Sequence, residues 1–168
     1  VSRGGHKLAG ALTAFAQQGL SVTGRRCLDA GASTGGFTDV LLREGAREVV
    51  AVDVGYGQLA WSLRPDDRVT VLDRQNVREL TPELVGGQVD LVVGDLSFIS
   101  LRLLLEALVG VTDPDGDLLL MVKPQFEVGK DRVGMVSDIT TVLSKSMKTN
   151  ISSMTIQSDD GMFEGRIA

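Results

Sequence analysis

The chain alternates short apolar runs with stretches of helical periodicity. The predicted strands are Arg26–Ala30, Glu48–Asp53, Val69–Leu72, Val89–Asp95 and Leu118–Val122. The predicted helices are Lys7–Gln18, Phe37–Glu44, Leu59–Leu63 and Phe98–Val109. Strands that are apolar on both faces belong to parallel sheets covered by helices on both sides. The pattern therefore predicts an α/β domain of the Rossmann-like type, with a doubly wound, mostly parallel sheet.

The pattern changes after Gly134. Apolar spacing predicts a helix over Asp138–Lys148, followed by strands at Ile151–Gln157 and Met162–Ile167 that a short turn joins. We therefore expect one domain over residues 1–134 and a helix and hairpin over residues 135–168.

Composition narrows the class of protein. With 43% hydrophobic and 23% charged residues the chain is typical of a globular protein, and its longest apolar runs are far shorter than the ~20 residues that cross a bilayer. A single cysteine, Cys27, and a single histidine, His6, leave no zinc-binding set and favour the reducing cytoplasm. The net charge of −5 argues weakly against a protein coated in nucleic acid. Because Val1 is not a methionine, we expect a piece of a longer protein.

Charged residues follow the predicted strands at the edge where α/β sheets bind ligands. They are Asp29, Asp53, Asp95 and Lys123. The loop from Asp29 lacks both the dinucleotide-binding and the P-loop glycine spacings, which disfavours those ligands. A small cationic cofactor such as S-adenosylmethionine fits better, because glycines let a ligand approach the backbone and Asp29 supplies negative charge.

Two glycines, Gly31 and Gly35, are the positions at which that approach is expected. Asp53 lies near the ~20-residue offset at which an acid meets a ribose in such folds, so we predict that it binds the ribose hydroxyls. The alternative is structural: a tight turn that needs glycines, with acids that cap helices.

Five motifs resemble the TlyA family, the FtsJ-like ribosomal-RNA 2′-O-methyltransferases that are often labelled haemolysins. They are Ser2–Leu8 (SRGGHKL), Leu28–Thr38 (LDAGASTGGFT), Asp53–Leu59 (DVGYGQL), Gly94–Ser100 (GDLSFIS) and Val122–Gly129 (VKPQFEVG). The resemblance covers Val1 to about Gly134. Members normally carry an amino-terminal S4-type RNA-binding domain, which we would expect before Val1.

The resemblance implies S-adenosylmethionine as cofactor, ribosomal RNA as partner and a Lys-Asp-Lys-Glu catalytic tetrad. Lys7, Asp95 and Lys123 match the first three members of the tetrad. Lys123 is the expected base; the nearby cation Lys7 would favour its neutral form, whereas Asp95 would orient it and favour the charged form. The expected cofactor contacts are Asp29, Gly31, Ser33, Thr34, Gly35, Gly36, Asp53, Asn76 and Asp95.

The tail allows two interpretations. Residues 139–167 are similar to part of the ACT regulatory domain of RelA/SpoT enzymes, which would make the tail a foreign fragment. Alternatively, the helix and strand pair complete the methyltransferase sheet, and Glu164 then takes the fourth place of the tetrad. An exposed hairpin glutamate is the simpler interpretation of Glu164.

Further side chains could contact RNA. A phosphate-binding rim could include Arg3, Lys7, Arg25, Arg26 and Lys130, although each is also typical of solvated surface. The aromatic residues Tyr56, Trp61 and Phe98 could stack on adenine or on a flipped base, or could pack in the core.

Three functions remain open at this point. The first is ribose 2′-O-methylation of ribosomal RNA, and the second is a catalytically incomplete module that binds S-adenosylmethionine or serves regulation. The third is a membrane-lytic haemolysin, against which the lack of an amphipathic cationic helix counts. The sequence fits a protein without a membrane partner and leaves the oligomeric state and the modified nucleotide open.

Overall fold

The structure is a computed structural model and describes residues 1–127, 154–158 and 161–165. The helices are α1 (Arg3–Phe15), α2 (Gly36–Arg43), α3 (Leu105–Gly110) and α4 (Pro124–Glu127). The strands are β1 (Arg26–Ala30), β2 (Glu48–Val52), β3 (Val69–Leu72), β4 (Val89–Gly94), β5 (Thr112–Leu120), β6 (Met154–Ser158) and β7 (Gly161–Gly165). Short 3₁₀ segments lie at Ala16–Gln18, Val77–Glu79 and Leu101–Leu103.

Five strands form one parallel sheet in the order β3-β2-β1-β4-β5. The order reverses between β1 and β4, which is the switch point of a doubly wound sheet. One face is covered by α1 and α2, with Leu8 and Leu41 buried. The other face is covered by α3 and the Val77 segment, with Leu108 buried. The Rossmann-like prediction is confirmed.

The predicted helix at Leu59–Leu63 is wrong. This stretch forms turns, in which Ala60 N donates to Thr34 O at 3.0 Å and Leu63 N donates to Ala60 O at 3.0 Å. Leu59 and Leu63 are both buried on the α2 side of the sheet. Their four-residue spacing predicted a helix because two buried leucines in a turn give the same apolar spacing as one face of a helix.

The first helix starts four residues before its predicted start. Ser2 is its N-cap, and the Ser2 Oγ accepts a hydrogen bond from Gly5 N at 3.1 Å. Gly5 is buried, and a side chain there would lie only 3.1 Å from Gly36 O and 3.2 Å from Val40 Cγ2. A residue without a side chain is therefore needed for α1 to approach the start of α2.

Two other boundaries differ from the prediction. The helix expected over Phe98–Val109 is a 3₁₀ turn followed by the short α3. Pro114–Asp117 has the composition typical of a turn but lies inside β5, whose pairing with β4 jumps from Val89↔Thr112 to Leu91↔Asp117. The turn residues thus form a bulge in the strand instead of ending it.

The hairpin predicted in the tail is present. Strands β6 and β7 pair antiparallel, from Met154↔Gly165 to Ser158↔Gly161, in a two-stranded sheet separate from the five-stranded one. The helix predicted at Asp138–Lys148 lies outside the described residues. The division at residue 134 therefore stays a prediction.

The described residues contain no helix long and apolar enough to cross a membrane. Cys27 lies in the core on β1, as expected, and burial raises the pKa of its thiol to about 12.

Candidate functional site

The loops at the carboxyl ends of the parallel strands carry most of the predicted site residues. Within the described part of the chain, the non-glycine residues with left-handed φ all lie in these loops: Ser33 (50°), Arg74 (53°) and Phe98 (66°). Such conformations are costly and concentrate at functional sites. The backbone therefore indicates the same edge of the sheet as the charged side chains do.

The residues predicted to carry the chemistry, Lys123 and Asp95, are in contact. Lys123 Nζ lies 2.5 Å from Asp95 Oδ1 and donates a hydrogen bond to Ser97 Oγ at 2.6 Å. The two charged side chains are 19% and 24% exposed. Asp95 Oδ1 is itself buried and accepts no directed hydrogen bond, so the ammonium compensates its charge. A partly desolvated amine is thus held at the carboxyl edge of the sheet.

A second set of contacts joins the loops that follow β4 and β5. The Glu127 carboxylate accepts hydrogen bonds from Ser100 Oγ at 2.7 Å and from Leu101 N at 2.6 Å. The rings of Phe98 and Phe126 lie 5.5 Å apart between centroids. Together with the lysine contacts, these fix one loop against the other, and we call the set the inter-loop clamp.

The glycine loop after β1 is fixed by the acid after β2. Asp53 Oδ2 accepts from Ser33 N at 2.7 Å, and Asp53 Oδ1 accepts from Gly55 N at 2.8 Å. Gly31 N and Ala32 N both donate to the last carbonyl of β2 at 2.9 Å. The structure therefore brings Asp53 to the loop, as its predicted role requires, and gives it a second task of holding that loop in shape.

Asp29 occupies the interior, not the loop surface. Its side chain is 1% exposed and accepts a hydrogen bond from Thr38 Oγ1 of α2 at 2.8 Å. Burial raises the pKa of the carboxyl to about 7; the charges of Asp53 and Asp95 raise it further, and the Thr38 bond opposes the rise. The expected direct approach of a cation to this carboxyl is not supported by its burial.

The glycines of the loop serve protein packing. Gly31 and Gly35 have φ of 76° and 98°, where a side chain would be strained. The space that a side chain would need is filled by Leu96 at Gly31, and by Leu59 and Leu63 at Gly35. The reason expected from the sequence, room for a ligand, is therefore corrected: these glycines make room for leucines and permit the turn.

The remaining predicted site residues lie around this centre. Gly36 begins α2 against Ser2, and Thr34 is exposed with its carbonyl bonded to Ala60 N. Asn76 is exposed and caps the 3₁₀ turn after β3 by accepting from Arg78 N at 3.0 Å.

The other two members of the predicted tetrad are Lys7 and Glu164. Lys7 is an exposed residue of α1 and makes no ion pair with Asp95 in the described part of the chain. Glu164 lies on β7, in the separate hairpin. Their roles remain predictions.

Two residues of the predicted phosphate-binding rim are wrongly placed for it. Arg25 and Arg26 lie at the amino end of β1, opposite the site, and pair with Asp117 at 2.6 Å and Glu48 at 2.9 Å. Acids of the protein already compensate both charges. Lys130 lies outside the described residues.

The loop aromatics are outside the core. Tyr56, Trp61 and Phe98 are 70%, 91% and 89% exposed, so the core alternative is wrong for all three. The Arg74 guanidinium lies 4.5 Å from the centroid of the Tyr56 ring. Exposed rings at a ligand-binding edge are available to stack on bases.

A groove of about 340 Å³ lies elsewhere, beside β2 and β3, and includes Glu48, Thr70 and Glu83 in its lining. Of the residues predicted to contact cofactor or RNA, Arg26 alone lines it, and none of the predicted catalytic or cofactor-binding residues does. Within the described residues, no group of histidine, cysteine and acidic side chains could hold a metal ion.

Three residues of the site were not singled out from the sequence: Thr38, Ser97 and Glu127. Each lies inside a motif that carries the family resemblance. A polar side chain within such a motif, close to a predicted catalytic residue, was the available signal. What the motif could not show is which partner each side chain binds.

Comparisons with known proteins show which family the chain resembles. The FtsJ-like methyltransferase family profile matches residues 1–159. The 16S/23S rRNA (cytidine-2′-O)-methyltransferase TlyA of Mycobacterium tuberculosis is 69% identical over 134 residues, which are 80% of this chain and 49% of that protein. Hemolysin A of Brachyspira hyodysenteriae is 39% identical over 142 residues, or 82% of this chain and 58% of that protein.

A solved structure from Lactococcus lactis, provisionally described as a hemolysin, has a TM-score of 0.77 and 39% identity, covering 87% of this chain and 75% of that one. The chain spans about half the length of the curated relatives it matches. With the family profile matching nearly the whole chain, and the paired lysine and aspartate at the ligand-binding edge of the sheet, the chain belongs to the FtsJ-like methyltransferase family.

Proposed function

We propose that this chain is the catalytic part of an enzyme that transfers a methyl group from S-adenosylmethionine to a ribose 2′-hydroxyl of ribosomal RNA. The observation that carries the proposal is the contact of Lys123 with Asp95 at the carboxyl edge of the sheet. Family membership supplies the reaction class, and the name of the Mycobacterium tuberculosis relative supplies the substrate. Because ribosomes are cytoplasmic, we place the protein in the cytoplasm.

The loop after β1 and the acid after β2 fit S-adenosylmethionine. Each Asp53 oxygen accepts one backbone N–H, and a carboxylate has about four acceptor positions, so two remain for ribose hydroxyls. The rest of the proposed cofactor site comprises Gly31, Ser33, Thr34 and Gly35, with Gly36, Asn76 and Asp95 at its borders. The buried Asp29 acts on the cofactor only through its charge. When bound, the cofactor supplies an electrophilic methyl group on a positively charged sulfur.

The protein's part in the reaction is to activate and orient a poor nucleophile. Lys123 Nζ accepts the proton of the 2′-hydroxyl, and Asp95 stabilises the resulting ammonium. Orientation of the hydroxyl toward the methyl group supplies the rest of the acceleration. By resemblance, Lys7 completes the site around the target ribose, and Glu164 would join it only with the hairpin as part of the methyltransferase sheet.

We further propose that residues 1–134 form the methyltransferase domain and that residues 135–168 form an appended helix and hairpin. The family match to residue 159 favours a tail that belongs to the methyltransferase over a foreign fragment. The separate pairing of β6 with β7 favours an appended element over a completed sheet.

Calorimetry with S-adenosylmethionine, followed by transfer of a labelled methyl group to ribosomal subunits, tests the proposal. We expect binding and transfer by the parent chain, and for Asp53→Ala a cofactor Kd raised by about 10- to 100-fold, since hydrogen bonds to a charged group contribute about 1.5–3 kcal/mol. Binding without transfer would support the incomplete-module alternative. Leakage from liposomes at low protein concentration, without transfer, would support the lytic one.

A further inference from the structure

The amine of Lys123 has two acceptors in fixed positions. Asp95 Oδ1 lies 2.5 Å from Nζ, and Ser97 Oγ accepts a hydrogen bond from Nζ at 2.6 Å. An ammonium carries three N–H groups in tetrahedral directions. A neutral amine carries two N–H groups and one lone pair in the same directions. The hydrogen bond to Ser97 therefore fixes the direction of one N–H group, while the ion pair with Asp95 holds the nitrogen in place without a directed hydrogen bond. Together they restrict where the lone pair of the neutral form is directed.

We propose that Ser97 is a positioning residue for the base: with Asp95, its hydroxyl orients the Lys123 amine so that the lone pair is directed at the target 2′-hydroxyl. With Asp95 alone, the amine could rotate about its carbon–nitrogen bond and direct its lone pair elsewhere. This inference rests on the proposed function and adds a residue that orients the base without touching the reacting oxygen.

The inter-loop clamp explains how an exposed serine can hold a fixed position. Phe98, the next residue, has φ of 66°, a conformation that costs energy and persists only where its surroundings enforce it. The surroundings are the Glu127 carboxylate, which binds Ser100 Oγ and Leu101 N, and the Phe126 ring beside Phe98. The loop is therefore held on both sides of Ser97, at Asp95 and at residues 98–101.

The step balances with the groups named. The Lys123 ammonium first releases one proton to solvent and becomes the neutral amine. The 2′-hydroxyl proton then moves to Lys123 Nζ, which becomes an ammonium again. The ribose oxygen forms a bond to the methyl carbon as the carbon–sulfur bond breaks, and the electron pair of that bond stays on sulfur. Through the step Nζ keeps its ion pair with Asp95 and its hydrogen bond to Ser97, so the base needs no reorientation as it gains the proton.

Single-turnover transfer to ribosomal subunits, at saturating S-adenosylmethionine, tests Ser97→Ala against Ser97→Thr. For Ser97→Ala we expect a rate about 10- to 100-fold lower, of the size found when reacting groups are slightly misplaced. Cofactor Kd, the RNA concentration for half-maximal rate and Tm should stay at parent values. Ser97→Thr restores the hydroxyl on an exposed position and should restore most of the rate. Ser21→Ala, an exposed serine before β1, is the matched control and should behave as the parent chain.

A second readout does not depend on transfer. In the chain labelled with ¹⁵N-lysine, which has few lysines to assign, the Nζ signal of Lys123 should be sharp and protected from exchange. It should broaden in Ser97→Ala and recover in Ser97→Thr. Full transfer rate and an unchanged signal in Ser97→Ala would overturn the inference, as would a rate loss that Ser97→Thr does not recover. If the parent chain transfers no methyl group, the proposed function fails for this chain, and the Nζ signal alone decides whether Ser97 fixes the amine.

Discussion

The two ends of the central sheet both carry short ion pairs, for which we propose different purposes. At the amino end, Arg26 pairs with Glu48 at 2.9 Å and also donates to backbone carbonyls, including that of Gly87 at 2.8 Å. At the carboxyl end, Lys123 pairs with Asp95 at 2.5 Å. Short distance alone does not separate a structural ion pair from a functional one; the surrounding groups do.

The groups around the two ion pairs differ in how much they lower the stability of the fold. At the amino end the Arg26 guanidinium binds the Val85 and Gly87 carbonyls and so ties the segment before β4 to β1. The carboxyl end holds a buried Asp29 with a raised pKa, backbone in left-handed conformations and exposed aromatic rings. Costs of this kind are typical of active sites and are offset elsewhere in the fold. We expect substitutions at the two ends to affect different measurements.

Lys123→Ala should have the largest effect. It removes the group that accepts the hydroxyl proton, and loss of a general base lowers rates by about 100-fold or more. Cofactor Kd measured by calorimetry should stay at the parent value, because Asp53 and the glycine loop remain intact. Arg43→Ala, which removes an exposed cation of α2, is the control and should transfer methyl groups at the parent rate. Full activity of Lys123→Ala would make the ion pair at this end merely structural and remove the contrast.

Asp29→Asn should remove a pH dependence of the free energy of unfolding that the buried Asp29 carboxyl causes. The carboxyl has a pKa of about 7 in the fold against 3.8 for the unfolded chain. Between these values the folded state holds a proton that the unfolded state has lost, so the free energy of unfolding falls as pH rises through this window. The part due to Asp29 is complete below pH 3.8 and lost above pH 7.

Chemical denaturation of both chains across pH 4 to 8 measures this. The parent chain should lose up to about 4 kcal/mol relative to Asp29→Asn over that range, since one pKa unit corresponds to about 1.4 kcal/mol. The amide keeps an acceptor for Thr38 Oγ1 and carries no charge to bury. Parallel pH profiles for the two chains would show that Asp29 is not a cost to the fold.

The sequence was sufficient for the sheet and for the residues at its carboxyl edge. The bounds of β1 and β3 are those predicted, because uninterrupted apolar runs are a strong signal for buried parallel strands. Asp53, Asp95 and Lys123 could be placed at one edge because parallel strands end on the same side.

What failed depended on partners distant along the chain. The apolar spacing of Leu59 and Leu63 could not show that both side chains fill the space beside Gly35. Arg25 was a candidate for RNA binding from the sequence, but in the structure it pairs with Asp117 of β5. That pairing depends on the register of β5, which is set by a bulge whose residues have the composition of a turn. Glu127 could not be assigned to Ser100 without knowing how two loops pack.

Arg26→Leu should show the contribution of the amino end to stability. The substitution keeps apolar bulk but leaves the Glu48 carboxylate and three backbone carbonyls without their donor. Unsatisfied partly buried groups cost about 1–3 kcal/mol, so we expect a loss of about 2 kcal/mol in urea denaturation. Cofactor Kd and transfer rate below the melting transition should match the parent chain. A drop in transfer rate with unchanged stability would place Arg26 in the function and reverse the comparison.

Asp117→Asn should have the smallest effect and gives the closest match to the proposed catalytic pair. Arg25 Nη1 and Asp117 Oδ2 are 2.6 Å apart, close to the Lys123–Asp95 distance of 2.5 Å, but the Asp117 side chain is 47% exposed against 24% for Asp95. Solvent screens an exposed pair, so its loss should cost less than about 0.5 kcal/mol in denaturation and leave transfer unchanged. Asp95→Asn makes the same chemical change at the other end and should lower transfer, because the amide no longer compensates the ammonium that forms in the reaction. If the two substitutions lowered transfer equally, the end of the sheet at which an ion pair lies would carry no functional information. If only Asp95→Asn lowered transfer, partial burial beside the ligand-binding loops would distinguish a catalytic ion pair from an ordinary one.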